Sequence, residues 1–189
     1  MTPLLPPVVD THGSALCTQC GLCCTGALHN FAVLEPEETD FARRIGMTLR
    51  TEGRPGFALP CHFLRDSACT IYADRPKVCA RYKCGLLDRL EAGTISLDEA
   101  LEKVAEAKAL VAQAATEMTS GMTLPAARAM STQPPTPGLN PEARTDEMRL
   151  RLKIIALSLF LDKNFRNSRE GKALAIEAIG DTRLTTEMK

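Results

Sequence analysis

The sequence predicts a mainly α-helical chain with a few short strands. Three observations predict it. In the second half, apolar residues recur at helical spacing behind recognisable start signals. The runs that suit a strand are only three or four residues long. All eight cysteines fall between Cys17 and Cys84, and the following 105 residues have none, so a loop-rich segment precedes the helices.

The elements follow in chain order. Residues 1–13, with Pro3, Pro6 and Pro7, read as an irregular arm, and a thiol-rich loop comes next. Phe31 to Leu34 suits a short strand. In EPEETDFARRIGM, Pro36 and the acids mark a helix start, Arg43 and Arg44 its last turn, and Gly46 its stop. Residues 50–60 read as loop, with extended segments at Phe57–Leu59 and Thr70–Tyr72. Pro76 suits the first turn of a helix that carries Cys79. Leu86 to Glu91 forms a short helix ending near Gly93.

Ser96 with Glu99 makes a capping box. Behind it, Leu97, Leu101, Val104, Val111 and Ala115 keep helical spacing, with Lys108 interrupting the apolar stripe. Residues 119–141 hold Pro125, Pro134, Pro135, Pro137 and Pro141 and read as a linker or wrapping loop. A long helix then runs from about Glu142 to Phe165, with Met148, Leu152, Ile155, Leu159 and Leu161 as its apolar face. A short helix from about Ser168 to Ile179 closes the chain. This divides the protein into a cysteine-rich domain at 14–118, a linker at 119–141 and a helical extension at 142–189. The extension is expected to pack on the first domain, or to offer its apolar face to a protein partner.

The cysteines carry the chemistry. Cys17, Cys20 and Cys23 form C-x-x-C-x-x-C, a spacing that brings successive sulfurs toward one point, as in zinc knuckles and ferredoxin cluster loops. Cys24 is adjacent to Cys23 and cannot easily aim at the same ion, so it is expected to serve a second site or to lie free. Cys61, Cys69, Cys79 and Cys84 supply the remaining thiols. All eight are candidate metal ligands, for zinc or for an iron–sulfur cluster. The three local thiols plus a remote fourth suit a cluster, while eight thiols suffice for two closed zinc sites. Excess thiolate charge calls for nearby cations, and Arg75, Lys77, Arg81 and Lys83 flank Cys79 and Cys84. Of the histidines His12, His29 and His62, only His62 adjoins a cysteine. It reads as an exposed loop residue, or else as a ligand or a partner to one.

The run C-x-x-C-x-x-C-C at Cys17–Cys24, followed by Cys61, Cys69, Ile71, Tyr72, Arg75, Pro76 and Cys79, resembles the CxxCxxCC family of zinc- or iron-chelating domains. These are the YkgJ-like cysteine-cluster proteins related to flagellin lysine N-methylase. The resemblance covers about residues 14–100. It implies a metal or iron–sulfur domain, with iron–sulfur oxidoreductase or methylase-like activity as further implications. His62 stands where the family commonly has proline, and Ala80 where it commonly has arginine.

Composition narrows the remaining classes. The chain balances 23 basic against 23 acidic residues, and residues 1–84 hold nine against eight, so it lacks the basic footprint of a nucleic-acid binder. Tryptophan is absent. The longest apolar-leaning run, Ile154 to Leu161, is far short of the roughly 18 residues of a membrane span. The start of the chain has no basic signal-peptide region, so the expectation is a cytoplasmic protein whose thiols stay reduced. No G-x-G-x-x-G loop is present to hold a nucleotide. A zinc-stabilised interaction module remains a further reading.

Overall fold

A computed structural model describes residues 11–50 and 53–167. Among these, seven helices and four short strands make up the fold. Helix α1 (Thr11–Cys20) is followed by strand β1 (Phe31–Val33), a 3₁₀ turn at Pro36–Glu38 and helix α2 (Thr39–Arg44). Strand β2 (Gly56–Ala58) pairs antiparallel with β1, placing Phe31 opposite Ala58 and Val33 opposite Gly56. Strands β3 (Leu64–Arg65) and β4 (Ala68–Cys69) form a tight hairpin. Helices α3 (Lys77–Arg81), α4 (Gly85–Glu91), α5 (Leu97–Ala115), α6 (Leu124–Thr132) and α7 (Pro141–Asn164) complete the chain.

The helix starts follow from local chemistry. Ser96 Oγ accepts from the Glu99 backbone N–H at 3.2 Å, and Glu99 Oε2 accepts from the Ser96 N–H at 2.7 Å. Two orphan donors of α5 are thereby satisfied. Thr123 and Asn140 cap α6 and α7 more simply, each side-chain oxygen accepting one backbone N–H, from Ala126 and Ala143. Residues 119–141, expected as a linker, thus contain a helix. Pro125 stands in the first turn of α6, where its missing N–H has no intrahelical partner to lose.

Two cores organise the interior. The larger gathers Leu16, Leu22, Leu28, Leu86, Val104, Ile154, Leu157, Leu161 and Phe165 from α1, the following loop, α4, α5 and α7. Ala100, Ala107 and Ala114 face it from α5 at seven-residue intervals, and such small side chains let neighbouring helices approach closely. The smaller core holds Leu34, Ala42, Met47, Phe57 and Leu59, with Ile71 and Val78 packed against it.

Helix α7 departs from the expected pattern. Leu150, Ile154, Leu157 and Leu161 form its buried face. Met148, Leu152, Ile155 and Leu159, expected to pack or to meet a partner, lie on the opposite face and are exposed, Leu152 and Leu159 by 60% and 65%. Both stripes keep helical spacing, so periodicity alone could not choose between them. The buried Arg151 fixes the choice: it pairs with Glu147 at 2.7 Å and donates to the carbonyls of Gln133 and Pro134, tying α7 to the end of α6. The short helix expected at about Ser168–Ile179 lies outside the described residues. No helix among the described residues is long and apolar enough to cross a membrane.

Candidate metal centre

All eight cysteines line one cavity of about 640 Å³, and all are free thiols. Cys17 and Cys20 stand on α1, three residues apart and so on one helical face, not in a curled loop as the spacing suggested. Gly21 ends the helix with φ +69°. The chain then turns, with the Cys24 N–H donating to the Gly21 carbonyl at 2.9 Å, so Cys23 and Cys24 follow in the turn. Cys61 joins them through its own N–H, which donates to the Cys24 carbonyl at 2.8 Å. Cys69 ends the β3–β4 hairpin, opposite Leu64. Cys79 rides on α3. Cys84 is the N-cap of α4, where its Sγ accepts from the Leu87 N–H at 3.5 Å.

The charges felt by Cys20, Cys23, Cys24 and Cys79 come from two sets of neighbours. Burial pushes Cys20 up to about 12; the Leu22 N–H opposes this, while Cys84 and Cys17 add to it. Burial also raises Cys23 well above the usual thiol value, followed by Cys20, Cys84, Cys24 and Cys17. Cys24 rises to about 11 by burial, then through Cys61, Cys69 and Cys17. Cys79, although partly exposed as a residue, is pushed to about 12 by desolvation and then by Cys24, Cys61 and Cys69. Cys20 and Cys23 thus both feel Cys84 and Cys17, whereas Cys24 and Cys79 both feel Cys61 and Cys69. The groups meet where Cys23 adjoins Cys24, and Cys17 also reaches Cys24. Packing follows the same division: Cys20, Cys23 and Cys84 border the helical core, and Cys61 borders the smaller one.

Residues 16–108 match a family model whose description reads "Putative zinc- or iron-chelating domain". Those residues, just under half of the chain, match the CxxCxxCC domain family. No curated protein and no solved structure matches the chain. The thiols of this CxxCxxCC domain fit the group its family name implies. Deprotonated, they are the soft donors that zinc and iron–sulfur clusters take. Among the described residues, no group of three or more His, Cys, Asp or Glu side chains is placed to hold a metal ion as it stands, so binding would have to draw the thiols together.

Three of the four cations the sequence singled out pair with carboxylates. Lys77 pairs with Glu37, Arg81 with Glu35 and Lys83 with Glu91. Of the four, Arg75 acts on a thiol: it stacks over the Tyr72 ring at 3.8 Å and lowers Cys79 against the larger upward pull of burial. His62 is exposed and lies against Phe63, outside the residues that line the cavity. His29 does line it. Its ring meets Tyr82 edge-on at 4.7 Å, and its buried Nε2 has no hydrogen-bond partner. Burial, then the charges of Arg166 and Arg128, lower His29 to about 4, so its imidazole is neutral near pH 7. No neighbouring cysteine or motif marked His29 in the sequence.

Proposed function

We propose that the protein chelates zinc or iron through two thiolate quartets: Cys17, Cys20, Cys23 and Cys84 in one, Cys24, Cys61, Cys69 and Cys79 in the other. The single observation carrying this reading is that all eight thiols line one cavity. On ionising, these thiols raise one another, as at Cys20, Cys23, Cys24 and Cys79, and a bound cation would relieve that repulsion. The adjacent pair Cys23–Cys24 divides between the two sets, which resolves the geometric problem of two neighbouring ligands. When bound, each ion or cluster cross-links loops that the small core alone holds weakly, so binding energy is also folding energy.

Four thiolates per site suit either a closed zinc centre or an iron–sulfur cubane. The reading supposes a reducing compartment such as the cytoplasm, where free thiols persist. The test is metal analysis of protein purified with and without oxygen. About two zinc ions per colourless chain fits closed zinc sites. Iron with sulfide and absorbance near 400 nm, lost on reduction, fits clusters. Folded protein free of both metals contradicts the proposal.

A further inference from the structure

Lys108 is the residue that interrupts the apolar stripe of α5, and its surroundings explain why a charge is tolerated there. Its Nζ donates to the Gln19 carbonyl at 2.5 Å and to Ser67 Oγ at 2.6 Å. Gln19 lies in the last turn of α1, between Cys17 and Cys20. Ser67 lies in the β3–β4 turn, two residues before Cys69. One ammonium therefore ties a segment of the first quartet to a segment of the second.

The same seam is tight elsewhere. A Cβ on Gly21 would come within 3.1 Å of the Ser67 carbonyl oxygen and 3.2 Å of Ser67 Cα. The two cysteine-bearing segments thus meet backbone to backbone at Gly21 and Ser67, and Lys108 bolts the contact from the α5 side. Ala107 beside it is fully buried, so the helix lies close enough for the lysine to reach. Once thiolates hold a divalent ion, each quartet carries excess negative charge, about −2 for four thiolates on one zinc. Lys77, Arg81 and Lys83 are engaged with Glu37, Glu35 and Glu91. Lys108 makes no such pairing with a carboxylate in its two described bonds.

We infer that Lys108 is a positioning residue of the metal centre: it clamps the Gln19 and Ser67 segments together and offsets the charge of the loaded first quartet. This rests on the two-quartet reading above. A neutral side chain of similar length should keep the fold and weaken the centre. In Lys108→Met we expect helical circular dichroism like wild type, zinc affinity reduced on the order of tenfold in competition with a chromophoric chelator, and an altered thiolate-to-cobalt charge-transfer band after cobalt(II) substitution. Lys108→Arg, which keeps the charge, should recover most of the affinity. Wild-type affinity and cobalt spectrum in Lys108→Met, with only a lower melting temperature, would overturn the inference and leave the two-quartet reading standing. Wild-type protein that takes up neither zinc nor cobalt would remove both. Should Lys108→Met fail to fold, Ser67→Ala removes one arm of the clamp alone. A loss of about threefold in zinc affinity is then expected, and an unchanged affinity would overturn the inference.

Discussion

The cysteine cavity has two unlike walls. One is the helical wall, where α1, α4, α5 and α7 bury a broad set of leucines, Ile154 and Phe165. The other is the strand wall, spanning β1 to α3, whose buried core is Leu34, Ala42, Met47, Phe57 and Leu59 among the described residues. Its sheets have two strands each, which are marginal in isolation. The helical wall can be held by apolar burial. The strand wall has too little of it and would rely on metal, as small loop-rich domains do. Three of the eight thiols, Cys61, Cys69 and Cys79, come from this segment with the lesser core.

The largest effect should come from stripping metal. Treatment with a strong chelator is expected to abolish amide-exchange protection across residues 31–81 while α5 and α7 stay protected, since structural zinc contributes about 10 kcal/mol or more in small domains. Equal loss in both walls would break the comparison. Next come core truncations within the helical wall. Leu157→Ala should lower unfolding free energy by about 2–5 kcal/mol in urea titration, because Leu157 is fully buried. Its effect should be nearly the same with metal and without.

Acid provides a third, smaller probe. The folded value of His29, about 4, lies below the ordinary 6.5. A depressed value means that the unfolded chain binds the proton more readily. Its stabilising contribution is present above pH 6.5 and is lost as pH falls through 4. Allowing for partial exposure, this is roughly 2 kcal/mol. Urea midpoints of chelator-treated protein should therefore fall less between pH 6.5 and 4 in His29→Gln than in wild type. Parallel slopes would show that His29 is not held neutral. The smallest effect is expected at the outer stripe of α7: Leu152→Ala should shift stability by no more than about 0.5 kcal/mol, a control for Leu157→Ala.

What could be read from the sequence, and what could not, follows from how local each signal is. The Ser96–Glu99 capping box and the Gly93 stop before it are short-range chemistry, and α4 and α5 sit where those residues put them. Strand β1 lies within the expected Phe31–Leu34. The hairpin around Cys69 was harder: Thr70–Tyr72 was expected to be extended, yet the pairing falls at Ala68–Cys69, because a two-residue strand carries almost no periodicity. Cys17 and Cys20 on α1 were read as a curl, although a gap of three fits a helix face equally well. Helix α7 defeated the pattern because it is apolar on two opposite sides. The cations that act on the thiols show the same limit. Arg75 is close in sequence to Cys79 and was visible. Lys108 is distant in sequence from Cys69, and its only trace was a break in an apolar stripe. His29 left no local trace, since its neutrality comes from burial and from two arginines on α6 and just beyond α7.

The division of the eight thiols into two independent quartets is tested most directly by counting metal per chain in Cys20→Ser and Cys79→Ser beside wild type. The account predicts that each variant loses the metal of its own quartet and keeps that of the other, falling to about half the wild-type content. Retention of full metal in both, or complete loss in both from chains whose helices remain folded, would contradict it.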